Sequence, residues 1–244
     1  MSAVEPKPYL REILFDRAKV TSPNEYPFNL AVFRHLEILR FHRDVTFFVG
    51  ENGSGKSTLL EAIAVGLNFN PEGGTLNTRF ATKETHSPLH QTLKLVRSFK
   101  KPKDGFFLRA ESFYNLASYV DDVGAVGGYG GESLHRQSHG EAFLSTMMNR
   151  LRGNGIYLFD EPEAALSPSR QLSTLAVIDQ LVKKDSQFII ATHSPILLSY
   201  PRALIYQFGE DGINTVAYEE TEHYRVTKDF LNRHAQMLKE LLDD

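Results

Sequence analysis

No cysteine occurs among the 244 residues. This excludes disulfides, thiolate metal centres and a cysteine nucleophile, and it fits a reducing cytoplasm, where the chain is expected to reside. Neither sign of charge dominates: 27 Lys and Arg stand against 30 Asp and Glu, a net charge of -3. Binding to DNA would therefore need a local basic patch rather than a global field. No apolar run approaches the ~18–20 residues needed to cross a bilayer. The charged opening MSAVEPKPYLREILFDRAKV has no apolar h-region, so neither a secretory signal nor membrane insertion is expected. Repeats of 20–50 residues and long heptad arrays are lacking too, which excludes a solenoid or a rod. What remains is 41% hydrophobic and 23% charged, an ordinary globular balance in a chain long enough to bury a core without staples.

Short runs rich in β-branched and aromatic residues read as strands: Val45 to Val49, Gly105 to Leu108, Ile156 to Phe159, Phe188 to Ala191 and Ala203 to Phe208. Helical patterns cover Lys56 to Leu67, Glu141 to Arg152, Pro168 to Lys184 and Val226 to Leu242. Alternation of this kind predicts an α/β fold with a largely parallel sheet flanked by helices. Apolar stretches at Arg11 to Val20 and Leu36 to Phe41 suggest an antiparallel N-terminal side sheet. The expectation is one domain over 1–244 with a small inserted lobe at about 68–150. Asn68 to Thr92 and the glycine-dense Asp121 to Gly131 read as irregular. Lys94 to Lys103 carries five positive charges; it reads as a solvated strand end and turn, or else as a site for an acidic partner.

The strongest motif is Gly50-Glu51-Asn52-Gly53-Ser54-Gly55-Lys56-Ser57-Thr58, which satisfies G-x-x-x-x-G-K-[ST]. A match somewhere in a chain of this length arises by chance on the order of once in a hundred chains. Here the strand VTFFVG leads in and LLEAIAVGL leads out as a helix, the setting a phosphate-binding loop requires. Glycines let successive N–H groups converge on one anion, and the helix points its positive end there. Gly50, Asn52, Gly53, Ser54, Gly55, Lys56, Ser57 and Thr58 are thus the candidate ATP-binding residues. Lys56 neutralises the β- and γ-phosphates, and Ser57 offers a hydroxyl to Mg²⁺.

The apolar run Ile156-Tyr157-Leu158-Phe159 ends in Asp160-Glu161-Pro162-Glu163. Adjacent acids at the end of a buried strand repel and lose hydration unless a cation compensates. Asp160 is the candidate Mg²⁺ residue beside Ser57, and Glu161 the group that polarises the attacking water. Phe188 to Ala191 leads into Thr192-His193-Ser194-Pro195, which brings His193 to the same strand-end edge. Ser138, with Glu141 three residues on, reads as a capping box opening a helix.

In this order, GENGSGKST, SHGE, YLFDEPE and ATHSP resemble the phosphate loop, signature, acidic strand and switch histidine of ATP-binding-cassette ATPases. The resemblance spans Val45 to Pro195. Within that superfamily the chain looks like the small ABC-like or AAA-family ATPases whose relatives include chromosome-maintenance and recombination ATPases. The resemblance implies a P-loop fold of ABC type and hydrolysis of ATP and water to ADP and phosphate. It also implies an ATP-dependent homodimer in which Ser138 and Gly140 of one subunit approach the γ-phosphate held by Lys56 of the other. His193 would then sense that phosphate with Glu161, so Glu161, His193 and Lys56 are the expected catalytic set.

The departures are specific. Gln137, His139 and Glu141 replace the usual signature residues, and Glu111 and Ser112 stand where a glutamine loop is expected. That loop couples transporters to their membrane helices, so its absence disfavours the alternative of a transporter's energy-coupling subunit. A P-loop phosphotransferase is the other alternative, disfavoured by the DEPE and ATHSP elements. No N-K-x-D motif supports guanine binding. The reading leaves a DNA or protein partner open. Tyr26, Phe28 or Phe33 could stack on adenine, though each reads more simply as core. Phe230, Leu231, Leu238, Leu241 and Leu242 fall near one helical face, which predicts a C-terminal helix packed on the domain, with a partner-binding arm as the alternative. Glu84, His86 and His90 form a loose polar group with no rigid element to hold a metal geometry.

Overall fold

The computed structural model describes residues 7–76, 78 and 87–242. β1 (Leu10–Phe15) and β2 (Ile38–Arg40) flank the one-turn helix α1 (Ala31–Arg34), and β3 (Val45–Gly50) leads into helix α2 (Lys56–Gly66). β4 (Gly74–Thr75), a one-turn α3 (Leu89–Thr92), β5 (Leu93–Arg97) and β6 (Asp104–Arg109) follow, then α4 (Phe113–Asp122) and α5 (His139–Arg150). The last part holds β7 (Gly155–Asp160), α6 (Pro168–Lys183), β8 (Gln187–Ala191), a one-turn α7 (Pro195–Leu198), β9 (Leu204–Gly209), β10 (Gly212–Thr215) and α8 (Glu222–Leu242).

Seven strands form one mixed sheet in the order β10-β9-β3-β8-β7-β6-β4. The five inner strands are parallel and both edge strands antiparallel. The inner strands are apolar on both faces because helices or the side sheet cover each face. Alternate residues feed two cores. Phe47, Phe106, Tyr157, Phe159, Phe188 and Ile190 pack toward α4, α5 and α6, whereas Phe48, Phe107, Leu158, Ile189 and Ala191 pack toward α2 and the side sheet.

The N-terminal side sheet is three-stranded and antiparallel, β2-β1-β5. Buried Gln187 fastens it to the main sheet, bonding both N–H and C=O of Leu10 and the carbonyl of His42. The basic run thus begins on β5, paired to β1, with Lys94 and Arg97 exposed; it is a solvated strand end and turn. Residues 68–150 contribute β5 to the side sheet and β4 and β6 to the main one. The stretches read as irregular contain more structure than composition suggests: β4 and α3 in the first, the end of α4 and a 3-10 turn at Val126–Tyr129 in the second.

One expectation fails. α8 starts a turn earlier than its pattern indicates, and no residue in it is buried. Leu231 is 69% and Leu241 71% exposed. Its main neighbours are the turn at Tyr218–Glu220 and α7, and the backbone breaks from helical geometry at Arg233. Amphipathic spacing states that a helix has an apolar face, not that this face is covered by its own chain.

Candidate functional site

Strand order brings the chemistry together. β6, β7, β8 and β3 are neighbours, and their registers align Arg109 with Asp160 and Asp160 with Ala191. Arg109, Asp160, Thr192–His193 and the loop after Gly50 therefore share one carboxyl edge, where ligands collect in open α/β sheets. Gly50 sits at φ 148, Gly53 at 78 and Gly55 at 100, a left-handed path that side chains resist. A Cβ on Gly50 would lie 2.4 Å from the carbonyl oxygen of Phe208.

Lys56 is buried, and its ammonium donates to the carbonyls of Gly50 and Glu51, each at 2.8 Å. Burial pushes its pKa down, opposed by the fields of Glu161, Asp160 and Glu163. Ser57 Oγ donates to Asp160 Oδ1 at 2.8 Å, joining the phosphate loop to the acidic strand end. Asp160 is 4% exposed, and burial raises its carboxyl to about 6 against the pull of Ser57 and Arg109. Arg109 Nε lies 3.5 Å from Asp160 Oδ2, while the rest of its guanidinium holds Glu61 at 2.6 Å and Glu111 at 3.3 Å. The loop borders a cleft of about 500 Å³ whose walls include Leu30, Asn52, Phe208 and His223.

Glu161 adopts the left-handed conformation (φ 50, ψ 51), which turns the chain sharply out of β7. Its Oε1 lies 3.5 Å from His193 Nε2, a buried nitrogen that makes no hydrogen bond. Burial, reinforced by Lys56, lowers the pKa of His193. Ser138 and Gly140 stand at the start of α5. The Glu141 carboxylate accepts from the Ser138 amide at 3.0 Å and from its hydroxyl at 2.6 Å, and Arg170 pairs with the same carboxylate at 3.1 Å. A Cβ on Gly140 would come within 2.7 Å of the Ala165 carbonyl oxygen and 2.5 Å of Arg170, so glycine here lets α5 approach the turn after Glu161.

Of the aromatic candidates, Phe33 is buried core and Phe28 packs at its margin. Tyr26, against the core reading, is 60% exposed and shares a 2.8 Å hydrogen bond with Thr58. His90 bonds to Ser87, and Glu84 and His86 lie outside the described residues. Among the described residues no group of three or more His, Cys, Asp or Glu is arranged to hold a metal ion. Hard oxygen donors at Ser57 and Asp160 suit Mg²⁺, which takes its other ligands from phosphate and water.

Two family models match the chain: an "AAA domain" over residues 28–114 and an "AAA domain, putative AbiEii toxin, Type IV TA system" over residues 141–199. The first covers the phosphate loop, the second the acidic strand and His193. The L-cystine transport system ATP-binding protein TcyN of Escherichia coli (strain K12) is 27% identical over 175 residues, 62% of this chain and 69% of that protein. The guanosine import ATP-binding protein NupO of Bacillus subtilis (strain 168) is 27% identical over 173 residues, 60% of this chain but 32% of its own length. Among solved structures, "An inward-facing conformation of a putative metal-chelate type ABC transporter" shares the fold at TM-score 0.50 and 15% identity, covering 90% of this chain and 88% of that one. The SMC head domain from Thermotoga maritima is similar at TM-score 0.46 and 14% identity, covering 85% and 98%. These matches support an ABC-like P-loop ATPase.

Sequence reasoning on this ATPase missed three polar residues at or beside the site. Glu163, the last acid of DEPE, accepts from Thr192 Oγ1 at 2.7 Å and from the His193 amide, so it pins the turn that carries His193. Its spacing after Glu161 was a usable signal. Arg109 and His223 had none, because strand pairing and the direction of α8 bring them in. No helix among the described residues is long and apolar enough to cross a membrane.

Proposed function

We propose that this ATPase is a nucleotide-driven dimerisation switch in which each protomer holds ATP and Mg²⁺ on residues 50–58 and completes the site of its twin with Ser138 and Gly140. The observation that carries the reading is the Ser57–Asp160 hydrogen bond, which supports a divalent-ion site preformed from the phosphate loop and the acidic strand. Lys56, folded onto loop carbonyls, turns to the β- and γ-phosphates when they displace those weaker partners. Ser57 and Asp160 hold Mg²⁺, which supplies neutralisation of phosphate charge. Glu161 accepts a proton from water as that oxygen attacks the γ-phosphorus, and the bridging oxygen leaves with ADP. His193 orients Glu161 and the phosphate.

Dimerisation follows from charge. Only the γ-phosphate accepts donors from both subunits at once, so ATP joins them and hydrolysis releases them. Arg170 offsets the adverse charge of Glu141 at the mouth of α5. Glu161→Gln with ATP and Mg²⁺ should run at twice the monomer mass in size-exclusion chromatography; a monomer under saturating nucleotide would sink the switch. The two transport-system relatives favour one further reading, an energy-coupling subunit. It predicts co-purification with a membrane protein, and Glu111 in place of the coupling glutamine speaks against it.

A further inference from the structure

The mechanism above leaves His223 unused, yet it reaches the centre of the site from the first turn of α8. His193 Nδ1 and His223 Nε2 lie 2.9 Å apart, with ring centroids at 5.1 Å. One nitrogen of that pair must carry the shared proton. The opposite nitrogen of His193, Nε2, is buried, makes no hydrogen bond and faces Glu161 Oε1 at 3.5 Å.

The proton's position follows from that neighbour. A carboxylate and a phosphate oxygen are both acceptors only. Were His193 to donate from Nδ1, its Nε2 would turn a lone pair toward the Glu161 oxygen, lone pair against lone pair, at a buried site where such a clash is costly. With His223 donating, Nδ1 of His193 is the acceptor, its proton sits on Nε2, and a donor faces the place where Glu161 and the γ-phosphate meet. Two charged rings at this distance would break the bond by repulsion and by loss of the acceptor. Burial lowers the pKa of both histidines, in keeping with a neutral pair.

We propose that His223 is a positioning residue for ATP hydrolysis: its Nε2–H donates to His193 Nδ1 and thereby holds His193 as the Nε2–H tautomer aimed at Glu161 and the γ-phosphate. The proposal rests on the hydrolytic roles assigned to Glu161 and His193. It acts as the outer partners of metal-bound histidines do, fixing tautomer and ring angle together. It also makes the base of α8 part of the site, although no residue of that helix is buried.

The test compares His223→Phe, which keeps a ring and removes the N–H, with His223→Gln, which keeps an N–H donor. Two-bond proton–nitrogen NMR of the imidazoles in the nucleotide-free protein at pH 7.5 should show His193 protonated on Nε2 in the wild type and in His223→Gln, and a tautomer mixture in His223→Phe. Turnover of ATP should fall about 10–100-fold in His223→Phe with KM within about threefold, recover in His223→Gln, and show no further fall when His223→Phe is added to His193→Ala. Unchanged His193 tautomers in His223→Phe, or losses from the two substitutions that multiply, would overturn the proposal. Full turnover in His193→Ala and Glu161→Gln would instead overturn the hydrolytic roles beneath it, while the tautomer measurement stands apart from them. If His223→Phe does not fold, failure of His223→Gln to hold the tautomer and turnover is the overturning result.

Discussion

At the scale of single residues the site is held by groups that are costly without their ligands. Asp160 is buried beside Ser57 and Arg109 with its pKa raised from 3.8 to about 6, so the folded chain keeps this proton to higher pH than the unfolded chain does. Its contribution to stability is fully present below about pH 4 and is lost as pH rises through about 6. A two-unit shift corresponds to roughly 3 kcal/mol. In nucleotide-free protein, Asp160→Asn should therefore raise unfolding stability by roughly 1–3 kcal/mol at pH 8 and by much less at pH 4. Urea unfolding at the two pH values checks the sign. The same substitution should abolish Mg²⁺-dependent turnover. The acidic pair was legible in the sequence because charge at the end of an apolar run is a local feature. Arg109 was not, since its approach to Asp160 depends on which strand lies next to β7.

At the scale of elements, burial separates helices that look alike in sequence. α5 and α6 bury apolar positions against the sheet, while α8 buries none. Replacing Leu231 and Leu241 by Ser should change thermal stability by no more than about 0.5 kcal/mol each, as expected of solvent-facing sites. Phe159→Ala, in a fully buried strand, should cost about 3–5 kcal/mol. Scanning calorimetry of the three variants decides whether the α8 face is free. The strand–loop–helix unit around residues 45–66 could be read directly because backbone and motif lie on one continuous stretch. The cover of α8 could not, because an apolar stripe carries no record of its partner.

At the scale of the whole molecule, the phosphate edge couples ligand binding to stability. ATP with Mg²⁺ at a hundred times its dissociation constant should stabilise the wild type by about 2.7 kcal/mol. Lys56→Ala should lose that gain, because neutral alanine leaves the phosphates without their buried cation, whereas Glu161→Gln should keep it and lose turnover. Thermal shift with phosphate release measures both. A shift retained in Lys56→Ala would reassign the nucleotide grip.

The amino-acid sequence by itself determined the parallel α/β pattern, the phosphate loop, the acidic pair and the histidine after β8, since each is written in neighbouring residues whose spacing follows from strand or loop geometry. Only the tertiary structure decided that Tyr26 stands exposed at Thr58, that α8 buries none of its residues, and that His223 meets His193. Those facts depend on strand order and on the exit direction of a helix. Both are fixed by packing across long separations in the chain, which no local spacing encodes.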